Sequence, residues 1–171
     1  MRLTAAAHMR ANAHVRTTDP ATDRPDALAG PDECACLSLR QAARVVTQLY
    51  DEALAPAGIR STQFSLLSTI AWMQPVSMND LAARMVMDRT TLTRNLRPVL
   101  DAGLVTVRTG DDRRRREVAL TRAGSRTLDE ATGYWRAAQA EMRQALGDRR
   151  LVSLRDHLAE TVSRVGELTA R

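Results

Sequence analysis

The sequence predicts a mainly α-helical fold of the α+β class, and three observations carry this prediction. Apolar residues recur every three or four positions over most of the chain after residue 36. One pair of short alternating segments, on either side of residues 109–112, has the pattern of a β-hairpin. Residues 123–171 carry two long apolar seams of the kind that pair helices. The chain of 171 residues is 44% apolar and 3% aromatic, so its core must consist mainly of Leu, Val, Ala and Met.

Positive charge is concentrated in a short part of the chain. All 25 basic residues are arginines, which codon bias alone can explain, and the formal net charge is +5. Between Arg84 and Arg116 there are nine arginines and four aspartates, a local net charge of +5 that equals the charge of the whole protein. Such a concentration predicts a surface that binds nucleic acid.

Other classes of protein are disfavoured by the composition. No apolar run reaches the ~20 residues of a membrane span, and the N-terminus lacks the apolar segment of a secretory signal. Two cysteines do not form a disulfide framework. Residues 1–32 have no apolar period and are rich in turn-forming residues, which predicts a disordered arm. We therefore expect a soluble cytoplasmic protein.

Two helices are predicted before the most basic segment. The first runs from Cys36 to Ala55 and stops at a Pro-x-Gly sequence. Ser61 or Thr62 is expected to cap the second helix, which is apolar on most sides and ends near Met73. The second helix therefore lies in a core.

The next two helices form a unit. A short helix is expected from Ser77 or Asn79 to Met85, followed by a break of about three residues. Asp88 then caps a helix that ends at Gly103, and its apolar side is formed by Leu92, Leu96, Val99 and Leu100. Two helices joined by a tight turn, with arginines on the second, predict a helix-turn-helix.

The opposite face of the second helix carries candidate DNA contacts. Arginine can bond a guanine edge with two hydrogen bonds, and threonine can donate to phosphate or touch a thymine methyl. The alternative is a solvated surface helix that happens to carry arginines. The predicted contacts on this helix are Arg89, Thr90, Thr91, Thr93, Arg94 and Arg97.

The β-hairpin follows this helix directly. Val105 and Val107 alternate on one strand, and Val118 and Leu120 alternate on the other. Four consecutive arginines at the tip cannot be buried without a large desolvation penalty. An arginine-rich hairpin after a helix-turn-helix is a wing suited to a DNA minor groove, whereas the alternative is a solvated turn. The predicted contacts on the wing are Asp112, Arg113, Arg114 and Arg116.

The C-terminal helices predict a dimer. One seam repeats at spacings of three and four residues up to Gly147, and Asp148 is expected to cap a last helix with a similar seam. These helices exceed what a winged helix needs for its own core, so their surplus apolar surface predicts a helical dimer interface. Pairing of the helices within one chain is the alternative.

The sequence resembles the MarR family of bacterial regulators. The resemblance lies in TQFSLLSTI, LAARM, MDRTTLTRNLRPVLDAGLV and DDRRRREVALTRAG, and it covers residues 36–171. It implies a homodimer of winged helices that represses nearby genes until a small ligand, often a phenolic or aromatic acid, or an oxidant acts on it. It places groove-reading positions at Thr90, Thr91, Thr93 and Arg94. It also places a minor-groove contact at Arg114, which Asp112 orients by a carboxylate–guanidinium pair.

The predicted architecture is a winged helix-turn-helix with a two-stranded β-wing plus long helices that form a helical dimerisation domain. Four segments make up the chain. They are a disordered arm (1–32), an N-terminal dimerisation helix (33–58), a DNA-binding domain (59–122) and C-terminal dimerisation helices (123–171).

Two residues depart from the family pattern. Val86 stands in the turn where relatives often have glycine, and a β-branched residue is costly at positive φ. We therefore expect different backbone dihedrals there. Pro98 lies inside the recognition helix, where it removes one backbone hydrogen bond and is expected to bend the helix.

Two candidate triggers for release from DNA remain open. Tyr50, Phe64, Trp72 and Met73 could line an effector pocket, although simple core packing is the alternative. Cys34 and Cys36 stand at the start of the first helix, where thiolates are stabilised, so a redox or soft-metal sensor is the competing trigger. Two ordinary cysteines are the plain alternative.

No enzymatic activity is predicted. The three histidines fit no catalytic or metal-binding spacing, and the sequence has no glycine-rich phosphate loop. The expected partners are double-stranded DNA with an inverted repeat, a second copy of the chain and a small-molecule effector. No cofactor, metal or membrane partner is expected.

Overall fold

The structure is a computed structural model that describes residues 33–109 and 115–169. The predicted arm at 1–32 and the wing tip at 110–114 lie outside the described residues. The chain divides into two compact units, residues 1–40 and 41–171. The helices and strands are α1 (Ala35–Leu54), α2 (Ser61–Met73), β1 (Val76–Ser77), α3 (Met78–Arg84), α4 (Arg89–Asp101), β2 (Val105–Thr109), β3 (Arg116–Leu120), α5 (Arg122–Leu146) and α6 (Asp148–Thr169).

The fold is mostly helical with one small antiparallel sheet, so the predicted fold class is confirmed. The predicted hairpin is formed by β2 and β3, in a register that pairs Val107 with Val118. A third strand, β1, pairs with β3 and gives the strand order β1-β3-β2. Because β1 has two residues, it carries no alternation from which sequence analysis could have found it. None of the described helices is long and apolar enough to cross a membrane.

The core of the second unit is apolar. None of the residues described there combines a polar or charged side chain with full burial. Phe64 on α2 stacks on Trp135 of α5, with ring centroids 5.8 Å apart and an interplanar angle of 18°. Offset stacking of this kind adds to the stabilisation that burial supplies. The side chains with almost no exposed surface are Leu54, Leu66, Leu67, Ile70, Leu81, Leu92, Leu96, Val99 and Val118.

The start of α2 differs from the prediction. Arg60, rather than Ser61 or Thr62, is the N-cap residue. The Ser61 N–H donates to the Asp51 carboxylate (2.7 Å), and the Arg60 N–H donates to Gln63 Oε1 (2.8 Å). A side chain from α1 therefore satisfies a free amide of α2, and the short-range pattern of serine and threonine could not indicate that. Asp148 likewise is the first residue of α6 rather than its cap.

The last helix buries little of its apolar seam. Leu151 is buried, but the apolar side chains that follow it at spacings of three and four residues are all exposed in the single chain. Their exposed fractions run from 39% for Leu158 to 65% for Leu168. The other members of this exposed seam are Leu154, Val162 and Val165.

A compact joint connects the end of α4 to the start of α5. Thr121 is the N-cap of α5, and its Oγ1 accepts the Gly124 N–H (3.0 Å) while donating to the Gly103 carbonyl (2.7 Å). The Thr121 N–H donates to the Leu104 carbonyl (3.0 Å). The backbone of Leu104 lies so close to Gly124 that a Cβ there would overlap the Leu104 oxygen. Only glycine fits at position 124 in this packing.

Candidate nucleic-acid interface

The helix-turn-helix begins at a capped helix and contains a strained turn. Ser77 caps α3, since its Oγ accepts the Asp80 N–H (3.1 Å). In the turn, Val86 has a φ of 53° and is exposed. The expectation of different dihedrals at Val86 was therefore wrong. The Val86 and Met87 N–H groups donate to the last carbonyls of α3, and these hydrogen bonds hold the turn in a conformation that costs a β-branched residue roughly 1–2 kcal/mol.

Both ends of the recognition helix α4 are fixed by local chemistry. Asp88 Oδ1 accepts the Thr91 N–H (2.8 Å), and the hydrogen bonds from the Thr91 side chain and backbone hold the pKa of Asp88 below its ordinary value. At the other end, Gly103 has a φ of 67°, and the Leu104 N–H reaches back to the Val99 carbonyl. These contacts form a Schellman motif. The helix continues past Pro98 to Asp101.

The outer face of α4 is exposed and polar. Arg89, Thr90, Thr93, Arg94 and Arg97 are exposed, and Thr91 is half-buried. The Thr91 hydroxyl donates to Asp88 Oδ2 (2.6 Å), and the Thr93 hydroxyl donates to the Arg89 carbonyl (2.8 Å). These two threonines therefore use their hydroxyl protons within the helix. Their methyl groups and acceptor lone pairs remain for other contacts.

The arginines of this face differ in their neighbours. Arg97 Nε lies 3.7 Å from Asp101 Oδ2, an exposed pair that contributes little to stability. Arg89 and Arg94 have no ion-pair partner among the described residues. An unpaired guanidinium on an exposed helix face keeps all five donors available for phosphate or base edges.

The base of the wing approaches the helix-turn-helix. A small cleft of about 160 Å³ is lined by Arg89 of α4, Arg115 and Arg116 of the wing, and Ser77, Asn79 and Asp80 at the start of α3. Arg115 was absent from the predicted contacts, although the run of four arginines in the sequence contained it. Asp112, Arg113 and Arg114 lie outside the described residues.

A second site is an apolar cavity of about 430 Å³ behind the recognition helix. Tyr50 and Phe64 line it, as does Asn95 of α4. Trp72 is 81% exposed and lines a separate shallow groove together with Phe64, and Met73 is not part of the cavity wall. The four predicted pocket residues therefore do not share one site, because α2 turns Trp72 outwards.

The predicted redox residues lie in the first unit. Cys34 precedes α1 and Cys36 lies in its first turn. Both thiols are free and exposed. The Ser38 hydroxyl donates to the Cys34 carbonyl (3.2 Å) rather than to either sulfur.

A helix-turn-helix followed by a β-hairpin, with arginines and threonines on the second helix, defines a DNA-binding winged-helix protein. The MarR family model matches residues 59–116. In the solved structure of the M. tuberculosis transcriptional regulator MosR in complex with DNA, the chain is 43% identical to this one, with a TM-score of 0.64. That alignment covers 75% of this chain and 98% of MosR. The chain belongs to the MarR family of transcriptional regulators.

Two more distant proteins share part of this likeness. A MarR variant from E. coli complexed with operator DNA shares the fold, at 21% identity and a TM-score of 0.70, over 79% of this chain and 99% of that one. The HTH-type regulator YwoH of Bacillus subtilis (strain 168) is 27% identical over 92 residues, which cover 54% of this chain and 67% of YwoH. The prediction that the chain is not an enzyme agrees with membership of a family of transcription regulators.

Proposed function

We propose that the protein is a homodimeric repressor that binds an inverted-repeat operator and leaves it when a small molecule occupies the apolar cavity. The observation that carries this proposal is the exposed face of α4, where unpaired arginines stand on the second helix of a helix-turn-helix. The relative at 43% identity was solved in complex with DNA, which supports DNA binding by this chain. A regulator of this kind acts on chromosomal DNA, so we place it in the cytoplasm.

The contacts divide by chemistry. We assign Arg94 and Thr90 to base edges in the major groove, and the methyl groups of Thr91 and Thr93 to contacts with thymine. Arg89 and Arg97 serve as phosphate contacts that set the position of α4 on the duplex. On the wing, Arg113, Arg114 and Arg116 are assigned to the minor groove, with Asp112 orienting Arg114.

The dimer is inferred from the exposed seam of α6. An isolated soluble chain rarely leaves a row of apolar side chains in water, whereas two such helices can bury their seams against each other. We assign residues 123–171, with the helix in 33–58, to this interface and residues 59–122 to DNA binding. Two recognition helices related by two-fold symmetry require half-sites about 10 base pairs apart.

The DNA-binding part is tested by fluorescence anisotropy at ~150 mM salt, where non-specific binding is weak. The probes are a duplex from the region upstream of the gene and a scrambled duplex of equal length. Arg94→Ala should cost about 1–3 kcal/mol on the cognate duplex and reduce specificity. Arg114→Ala should weaken binding more evenly, because a wing arginine reads groove width and potential.

Arg136→Ala is the matched control, since it removes one exposed arginine from α5. The proposal fails if the wild-type protein does not prefer the upstream duplex. The assignment of Arg94 to base edges and Arg114 to groove shape is wrong if Arg94→Ala and Arg114→Ala reduce specificity equally.

The effector is assigned to the cavity because of its size and lining. A volume of about 430 Å³ lies within the range of small-molecule sites, and the Phe64–Trp135 stack forms part of its wall. The family resemblance suggests an aromatic or phenolic acid, and the aromatic wall supports the ring of such a molecule. Added effector should release the protein from the upstream duplex and raise expression of a reporter gene, which distinguishes a repressor from an activator.

A thiol sensor is the second candidate, favoured by the exposure of two free thiols near each other. We expect release to persist in a Cys34→Ser, Cys36→Ser double variant. Both proteins are titrated on operator DNA with peroxide, a soft metal ion or aromatic compounds. If oxidant or metal releases only the wild-type protein, and aromatic compounds release neither, the trigger is the thiol pair.

A further inference from the structure

We infer that the apolar cavity takes an uncharged aromatic ligand and that Asn95, on the recognition helix itself, is the residue that selects it. The inference rests on the proposed function, because it concerns the ligand and the action of the same cavity. It replaces the aromatic acid that the family resemblance suggests with a neutral aromatic molecule that has a hydrogen-bonding group.

The described residues that line the cavity include no charged side chain. Its walls are aliphatic, aromatic and thioether groups, and its polar side-chain groups are hydroxyls, the Trp135 indole N–H and the Asn95 amide. A carboxylate placed there loses its hydration without gaining a cation, which is strongly unfavourable. Arg143 lowers the pKa of Tyr50 through its charge, but burial is the larger effect and raises that pKa. The Arg143 side chain is exposed and outside the lining.

Asn95 provides the polar anchor. Its Nδ2 donates to Met87 Sδ at 3.4 Å. A thioether sulfur is a weak acceptor, so this contact leaves the amide with hydrogen-bonding capacity that a phenol, amide or ketone can use. A neutral ligand can pair with both the N–H and the C=O of Asn95. A carboxylate can accept from the N–H alone, and its charge remains uncompensated.

The position of Asn95 couples the ligand directly to DNA binding. Asn95 follows Arg94 on α4, so the same helical turn faces the cavity on one side and the predicted DNA surface on the other. Met85 and Met87, on either side of Val86 in the turn, also line the cavity. A ligand that replaces the Asn95–Met87 contact removes one side-chain link between α4 and the turn. It therefore shifts the population away from the arrangement that fits the operator.

The test uses the two tryptophans of the chain. Trp72→Phe removes the exposed tryptophan and leaves Trp135, which lines the cavity, as the only one. The full-length protein is titrated at pH 7 with 4-hydroxybenzamide and 4-hydroxybenzoate, which have similar shape but different charge. We expect the amide to change Trp135 fluorescence and to bind at least about tenfold more tightly than the acid, as an unpaired buried charge requires.

Variants of Asn95 then test its role. Asn95→Asp keeps the shape and removes both donors, and Asn95→Leu removes all polar groups. Each variant should lower the affinity for 4-hydroxybenzamide by about tenfold, the usual effect of one lost hydrogen bond in a buried site. Asn95→Leu should not weaken the binding of naphthalene, which cannot form this hydrogen bond. Circular dichroism confirms that both variants are folded.

Three outcomes overturn the inference. Equal or tighter binding of 4-hydroxybenzoate, above all if Arg143→Ala abolishes it, shows that the site takes acids. If both Asn95 variants bind 4-hydroxybenzamide with unchanged affinity, Asn95 is not the residue that selects the ligand. No fluorescence response to either compound removes the cavity as an aromatic site. Operator binding by the Trp72→Phe protein is measured separately, without ligand. A protein that does not bind the operator would contradict the proposed function, whatever the ligand titrations show.

Discussion

Helices α4 and α6 carry similar apolar patterns but bury them differently. On α4, Leu92, Leu96 and Val99 are almost completely buried against the rest of the second unit. On α6, the residues from Leu154 to Leu168 at equivalent spacing are exposed by 39% or more. On the opposite faces, Arg97 of α4 and Arg164 of α6 each pair with an acid four positions away, whereas Arg89 and Arg94 of α4 have no ion-pair partner among the described residues.

This difference separates two uses of amphipathicity. The apolar side of α4 fixes the helix within its own chain, so its polar side is held in a defined position for DNA. On α6, the apolar side chains from Leu154 to Leu168 are not covered by the described residues, and the proposed second copy is what would cover them. The stability of α4 should therefore not depend on protein concentration, whereas the stability of α6 should increase when two copies associate.

The largest expected effect is on the stability of the chain itself. Leu92→Ala should lower the free energy of unfolding by about 2–5 kcal/mol, because it leaves a cavity where the side chain is fully buried. The loss should be the same at low and high protein concentration. Urea unfolding at two concentrations measures it, with Leu168→Ala as a control whose loss should grow as the proposed dimer forms.

The next effect concerns association. Leu158→Glu with Val162→Glu should place two charges in the exposed seam of α6 and give a monomer. Operator affinity should then fall by at least a hundredfold, about 2.7 kcal/mol, since one recognition helix must bind alone. Light scattering and anisotropy measure the two quantities. Ser163→Glu, on the opposite side of α6, should change neither; a wild-type monomer at micromolar concentration would contradict the proposed interface.

A smaller effect is expected where α1 meets α2. Asp51→Asn removes the charged acceptor of the Ser61 N–H, which should cost about 1 kcal/mol at pH 7. The hydrogen bond from Ser61 and the charge of Arg60 lower the pKa of Asp51 in the folded state, although burial opposes them. This stabilisation is therefore present above the unfolded pKa of about 3.9 and is lost as the pH falls through the lower folded value.

Thermal unfolding between pH 7 and pH 3 checks the prediction for Asp51. The wild-type and Asp51→Asn melting temperatures should converge at the acid end. Glu52→Gln is the matched control, because Glu52 is exposed and bonds only Gln48 within its own helix among the described residues. A constant difference across the whole range would assign the effect to packing rather than to charge.

The smallest effect should be a gain. Val86→Gly relieves the positive φ of an exposed valine, and the flexibility of glycine in the unfolded chain offsets part of that relief. We expect a net increase in stability of about 0.5–1 kcal/mol. Val86→Ala retains a Cβ at positive φ and should gain less. A loss of stability in Val86→Gly would contradict the prediction and show that the flexibility of glycine in the unfolded chain outweighs the relief of strain.

The recognition helix could be predicted from sequence because its determinants are local. The cap at Asp88, the apolar side of α4 and the glycine after it all lie within 16 positions of one another. The features that escaped prediction depend on residues distant in sequence. Asp51 reaches α2 across a turn, β1 needs β3 to be a strand, and Asn95 meets the cavity only because α1, α2 and α5 enclose it.

Two local expectations failed or were incomplete for other reasons. Val86 adopts the conformation that its side chain disfavours, because the hydrogen bonds of the turn outweigh the local cost. Trp72 is a large aromatic residue of the kind that often lines a pocket, but its side chain is exposed. Because α2 is apolar on most sides, its sequence does not define which side is buried. Periodicity indicates a buried side only when polar residues mark the other one.

The contact between Gly124 and Leu104 makes the start of α5 a pivot. The helix has 25 residues, which at 1.5 Å per residue is a lever of ~37 Å. A tilt of ~5° about that pivot displaces the far end of such a lever by ~3 Å. A partner that restrains the far end of α5 would thereby restrain the angle between α5 and the recognition helix α4. In the proposed dimer, the distance between the two half-sites on DNA would then depend on the length of α5 and on the glycine at position 124.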